Sequence, residues 1–328
     1  GVYPPGGPTE LTQLVWKFIT EDAITSSPAV SGGVVYFGSG DNHLYAVDAN
    51  TGQERWKFKT ESGIDSSPAV SGGVVYFGSG DNHLYAVDAN TGQERWKFKT
   101  ESGIDSSPAV SGGVVYFGSW DNHLYAVDAN TGQELWRFRT EESISSSPAV
   151  SEGVVYCLSD DGFLYAVDAN TGQELWKLRT VPGFYSSPAV SGGVVYVGSE
   201  DYYLYAVDAN TGQQRWRFKT EYMIYSSPAV SGGVVYFGSV DNHLYAVDTN
   251  TGQELWKFKT EDVIVSSPAV SGGVVYFGSG DNHLYAVDAN TGQERWKFKT
   301  EGEILSSPAV SGGVVYFGSL DNHLYAVK

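Results

Sequence analysis

Residues 61–100 read ESGIDSSPAVSGGVVYFGSGDNHLYAVDANTGQERWKFKT. The SSPAV inside this stretch begins at Ser26 and returns at Ser66, Ser106, Ser146, Ser186, Ser226, Ser266 and Ser306, eight copies at a spacing of 40. A period of about 40–45 residues suits one four-stranded propeller blade. Runs of β-branched and aromatic residues bounded by turn residues predict strands over roughly Ile64–Val70, Val74–Ser79, His83–Asp88 and Gln93–Thr100. The first of these carries Ser66, Ser67, Pro68 and Ala69, small side chains where eight strands would converge on an axis. Pro68 offers no N–H to a ladder, so it belongs on an edge, and the innermost strand of a blade is one.

The ends of the chain argue for a closed ring. The last copy stops at Lys328, after its third strand, while LTQLVWKFIT at Leu11–Thr20 aligns with TGQERWKFKT at Thr51–Thr60 and puts Trp16 in register with Trp56. The N-terminal strand is therefore expected to complete the last blade, which removes the open edge that a linear array would leave. The fold class is all-β: an eight-bladed β-propeller of four-stranded antiparallel blades spanning residues 11–328 as a single domain, with the Pro/Gly-rich residues 1–10 read as a linker.

Composition narrows the function classes. A net charge of −18 opposes attraction to phosphate backbones, so nucleic acid is not an expected partner. No apolar run approaches the ~18 residues of a spanning helix, so no membrane insertion is expected, and nothing reads as a signal peptide. A single cysteine, Cys157, forms no internal disulfide and is expected to be a buried, inert thiol. A monomer is the expected state.

The segment LYAVDANTGQERWKF at Leu44–Phe58, with its later copies, resembles the tryptophan-docking repeat of the pyrroloquinoline-quinone-type propellers. That family includes quinoprotein alcohol dehydrogenases and a lipoprotein that assists outer-membrane barrel assembly. The resemblance implies that Trp56 packs between neighbouring blades and that Gly52 sits in the turn before the last strand. The dehydrogenase branch typically carries an adjacent cysteine pair and a calcium-holding cluster. Cys157 has no neighbouring cysteine and no copy departs from its siblings by such a cluster, so neither cofactor nor catalysis is expected.

Because the copies are nearly identical, each difference can be read against its siblings. Asp41–Gly80 differs from Asp81–Trp120 only in its last residue. Asp281–Leu320 differs from Asp81–Trp120 at Gly302, Glu303, Leu305 and Leu320, all in the crossover between blades or in the second turn. In a propeller these two connections share one face; the SGG and DANTGQ turns share the other, and there the main departure is Glu152. Variation on one rim of a fixed frame suits a recognition surface, since loops change without disturbing the strands that hold them. Such uniform copies point to recent amplification or to a consensus-designed scaffold without a natural ligand.

Apart from Tyr3, the aromatic side chains and the methionine outside the common pattern fall between positions 120 and 225. Trp120, Phe163, Phe184, Tyr185, Tyr202, Tyr203, Tyr222, Met223 and Tyr225, with Asp160 and Glu200, are the candidate binding residues, and a protein or peptide is the expected partner. Mutual packing as local loop support is the structural alternative. His43, His83, His123, His243, His283 and His323 all share one repeat position, with Phe163 and Tyr203 in the other two copies. Equivalent points on neighbouring blades are too far apart to share a metal bound at ~2.1 Å. Asp41 and its counterparts are expected to bond backbone amides in their tight turns. A quinone-dependent oxidoreductase, or its remnant, is the competing reading from another class.

Overall fold

The computed structural model describes residues 1–3, 6–8, 13–181 and 186–328. Their strands form eight four-stranded antiparallel sheets and no helix. Blade 1 comprises Ala29–Ser31, Val34–Gly38, His43–Asp48 and Glu54–Lys59, and later blades repeat this at +40. Blade 8 takes three strands from the C-terminal end (Ala309–Ser311, Val314–Gly318 and His323–Val327) and its outermost strand, Leu14–Ile19, from the N-terminal end. Trp16 pairs with Ala326 and Phe18 with Leu324, so the ring closes as the register of LTQLVWKFIT predicts.

The inner strand is shorter than the sequence pattern suggests: Ala69–Ser71 instead of Ile64–Val70. The residues before it spend their polar groups elsewhere. Ser66 Oγ accepts from Gly78 N (3.0 Å), and Ser67 N donates to Ser107 Oγ of the next blade (2.9 Å). Pro68 has no N–H to begin a ladder. The Ser67-type bond recurs at every blade junction, and Ser307 N donates to Ser27 Oγ, so eight bonds of 2.9–3.1 Å encircle the axis.

The core lies between blades. Leu44 and Ala46 of blade 1 pack with Val75, Phe77, Tyr85 and Val87 of blade 2. Trp56 bridges the pair: its Nε1 and the Tyr36 hydroxyl both donate to the Ala89 carbonyl, at 3.1 and 3.0 Å. Its ring lies over Gly92, where a Cβ would come within 2.7 Å of the indole. Gly92 also has φ 70°, so the position needs glycine both for room and for backbone conformation. The family's tryptophan and glycine therefore do here what the resemblance implies.

In blade 7, Trp296 and Tyr276 use a different acceptor. The Pro8 carbonyl fills the role, accepting from Tyr276 Oη at 2.7 Å and Trp296 Nε1 at 3.4 Å. The opening read as a linker is thus seated on the ring in its described parts, with Gly7 N donating to Ser271 Oγ at 3.2 Å.

Candidate functional site

Hydrogen bonds assign the connections to faces. The crossover and the second turn are joined by Gly40 N to Ala23 O (3.0 Å), Trp120 N to Gly103 O (3.0 Å) and Val240 N to Met223 O (3.0 Å). On the opposite side Ala49 N donates to Gly33 O (2.9 Å), joining the DANTGQ and SGG turns. Most substitutions that distinguish the copies outside the strands therefore lie on one face; Glu152, at φ 51°, and Thr249, whose hydroxyl donates to Gly233 O at 2.9 Å, lie on the other.

Among the described residues, seven variable loops are held by an aspartate whose carboxylate bonds the crossover. Asp41 Oδ2 accepts from Glu21 N (3.0 Å) and Tyr45 Oη (2.7 Å), while Oδ1 accepts from His43 N (3.1 Å). This pins the crossover to the second turn and fixes the frame from which loop-tip side chains project. Burial and the Asp41 carboxylate together push the Tyr45 phenol well above its ordinary range. His43 Nδ1 lies 2.9 Å from its own Asp41 carbonyl, so each imidazole is engaged within its own turn. Among the described residues no three His, Cys, Asp or Glu side chains are grouped to hold a metal ion.

The candidate residues divide. Trp120 (50% exposed), Tyr202 (36%) and Tyr222 (53%) project into solvent. The Tyr202 and Tyr222 rings lie 6.0 Å apart, and the Tyr225 hydroxyl is 2.8 Å from Met223 Sδ. Glu200 is half-buried at the tip of the blade-5 turn. Asp160 accepts from Ser143 Oγ (2.7 Å) and lies within 3.4 Å of Ser145 Oγ, so its carboxylate is spent on its own loops. Phe163 and Tyr203 are half-buried at the start of their strands and pack against the interblade cores. Lys177 lies over Phe163 and Arg217 over Tyr203, the latter at 4.3 Å, which places both rings on the flank of the blade. Phe184 and Tyr185 lie outside the described residues. The counterparts of Phe184 (Ile24, Ile64, Ile104, Ile144, Ile224, Ile264 and Ile304) are all buried.

Two sequence profiles each match more than half of the chain. One, described as outer membrane protein assembly factor BamB, matches residues 10–103 and 243–328, an arc continuous across the ring closure. The chain belongs to the BamB-like family of PQQ-type β-propellers. A profile described as the β-propeller of beta-alanine-activating enzyme matches residues 86–271 of this BamB-like chain. No curated protein matches in a sequence search. Among solved structures, the computationally designed Ika8 protein superposes with a TM-score of 0.86 at 22% identity, covering 96% of this chain and 99% of that one. BamB from Moraxella catarrhalis gives 0.83 at 20% identity, with 96% and 99% covered. Quinohemoprotein alcohol dehydrogenase ADHIIG from Pseudomonas putida HK5 gives 0.83 at 18% identity, with 96% and 76% covered. At such identities the likeness is one of fold.

Two features of this BamB-like propeller escaped the sequence reading. Leu135, Leu175 and Leu255 are exposed on outer strands, where siblings such as Arg55 bind the turn aspartate (Arg55 Nη2 to Asp48 Oδ2, 2.6 Å). That arginine and the Thr51 amide hold Asp48 at about 2. The other feature is a cluster beside the axis: Thr25 Oγ1 donates to Asp65 Oδ1, and burial, then the nearby Asp65 charge, raise Asp105 from 3.8 to about 6.

Asp105 has its raised value only in the folded state, so its contribution to stability is fully present below pH ~4 and is lost as pH rises through about 6. The Asp48 type behaves oppositely and loses its contribution only as pH falls toward about 2. Asp105→Asn is therefore expected to raise the melting temperature by about 1–2 °C at pH 7.5, after discounting for solvent screening, with little change at pH 4. Parallel melting curves of parent and variant across this range check the sign.

Proposed function

We propose that this propeller is a non-enzymatic recognition module that binds a protein or peptide through its variable face, centred on Tyr202 and Tyr222. The observation that carries the reading is the backbone of Tyr202. It has φ 73°, a conformation that Asn42, Asn82, Asn122, Asn242, Asn282 and Asn322 adopt in six siblings. Asparagine tolerates this left-handed region and a bulky aromatic does so at a cost of roughly 1 kcal/mol. Tyr202 is not drawn fully into the core in return: it is 36% exposed, and the Tyr222 ring beside it is 53% exposed. An unfavourable backbone that holds an exposed aromatic pair supports selection for contact with something else. Tyr202→Asn is expected to stabilise the ring by about 1 kcal/mol, read from the denaturant midpoint.

The binding test is selection from a displayed random-peptide library. Enriched peptides are expected to lose most of their affinity when the sector takes its blade-7 residues: Tyr202→Asn, Tyr222→Asp, Met223→Val and Tyr225→Val. They are expected to keep it when Glu152→Gly is made on the other face. Peptides that bind both variants equally would remove the patch from consideration.

The near-identity of Asp41–Gly80 and Asp81–Trp120 favours a second reading, a consensus scaffold with no natural ligand. No enrichment dependent on the sector would be its signature. For the quinone-dependent alternative, pyrroloquinoline quinone with calcium should shift the melting temperature; our proposal expects no shift.

A further inference from the structure

The inner strand of each blade has one edge that faces the axis, and in blade 7 that edge is taken. Gly1–Tyr3 runs parallel to the inner strand Ala269–Ser271: Gly1 N donates to Pro268 O (2.6 Å), Val270 N to Gly1 O (2.8 Å) and Tyr3 N to Val270 O (2.8 Å). The chain then leaves by the constant face, where Gly7 N reaches Ser271 Oγ. Ala269, Val270 and Ser271 are all buried, whereas Ala69 and Val70 of blade 2 are half-buried and Ser71 is exposed. Tyr3 packs against the core cluster shared by blades 7 and 8, beside an open groove of ≈ 480 Å³ between the turns of blades 6 and 7.

Nothing about blade 7 makes its edge special. Val270 pairs with Val275 in the register that leaves its N–H and C=O pointing away from the neighbouring strand. Val70↔Val75, Val110↔Val115 and Val230↔Val235 share that register, and no further backbone partner is found for Val70, Val110 or Val230 among the described residues. The sequence SSPAVSGG is common to these blades, so the edge repeats in chemistry as well as in shape.

We propose that the axial channel, entered from the constant face, is a binding site for an extended peptide that adds a parallel strand to an inner edge, and that Gly1–Tyr3 occupies it in cis. The fitting sequence is uncharged: a small residue for close approach to the Pro268 carbonyl, a β-branched residue, then an aromatic to cover the core. Main-chain bonds supply affinity and the aromatic supplies selectivity, as in other strand-addition sites. The site lies on the face opposite the aromatic sector, so either proposal can fail without the other.

The test uses the full chain carrying Tyr3→Pro, which removes the N–H given to Val270 and the ring that covers the core. A peptide Gly-Val-Tyr-Pro-Pro-Gly-Gly, fluorescently labelled at its C-terminus, is titrated and followed by anisotropy. Saturable binding is expected on the variant and, through its other inner edges, on the unaltered chain, and it is expected to be weaker by about tenfold for the peptide whose tyrosine is replaced by proline. No saturable binding to folded variant, or equal binding of both peptides, overturns the proposal. Hydrogen exchange on the unaltered chain needs no variant: the Val270 amide should exchange about tenfold more slowly than that of Val230, and equal rates also overturn it.

Discussion

Trp16→Ala is expected to remove roughly 3–5 kcal/mol of stability, the cost of deleting a large buried aromatic, and to change the association state as well. Trp16 is 8% exposed, its Nε1 donates to Ala49 O at 3.0 Å, and its ring covers Gly52 and meets Tyr316 at 5.8 Å. Its neighbour Phe18 packs edge-on against Phe37 and Tyr45 of blade 1. This one strand therefore joins the last blade to the first. At any other junction a lost tryptophan leaves the blades covalently continuous, but here the two ends are joined by non-covalent contacts: this strand's pairing with His323–Val327, the Ser307–Ser27 bond and the seating of Gly1–Tyr3 on blade 7. Opening the ring would expose strand edges able to pair with another molecule. Denaturant midpoint and sedimentation should be measured together for Trp16→Ala and for Trp136→Ala, the same contact inside the continuous chain. A Trp16 loss below about 1 kcal/mol with no dimer would mean that the closure contributes little.

That closure was legible because the repeat writes its own key: a tryptophan in register at the wrong end of the chain needs a partner at the other end. The two-face division was legible for the same reason, since differences between siblings isolate the loops. The shortening of the inner strand was legible only in part: Pro68 marks a strand that cannot begin a ladder there, but the bond from Ser67 N to a serine hydroxyl of the next blade, 40 residues away, is not visible in a single copy. Phe163 and Tyr203 show the limit for side chains. The strand predicted from His83 puts them at strand starts, but it does not foretell that their rings lean along the blade flank under Lys177 and Arg217. The seating of Gly1–Tyr3 was hidden by composition: glycine and proline punctuate linkers, but they also let a chain approach another backbone closely.

Blade 4 departs from its siblings inside the core, and this yields the second large effect. Leu158 stands where seven copies have glycine, among them Gly78, whose added Cβ would fall 2.3 Å from Ile104 Cγ2 and 2.5 Å from the Ile104 carbonyl. A side chain fits in blade 4 because its surroundings differ. The cluster holding Leu158 has Val197 where blade 2 has Phe77, and Leu178 where blade 1 has Phe58, so volume added at one position is removed at two others. Leu158 still keeps the glycine's backbone role, its N donating to Ser146 Oγ at 2.9 Å. Leu158→Gly alone should leave a void and cost about 2–5 kcal/mol, while Val197→Phe alone should overpack and cost about 1–3 kcal/mol. Made together they give the sibling pair of glycine and phenylalanine at 158 and 197, while Leu178 and Phe184 stay as they are in blade 4. The double variant should accordingly be about 1–3 kcal/mol more stable than the sum of the singles implies. Additivity within about 0.5 kcal/mol in a denaturant-based cycle would show that the two substitutions arose independently, and that blade 4 tolerates Leu158 by some means other than exchange of volume.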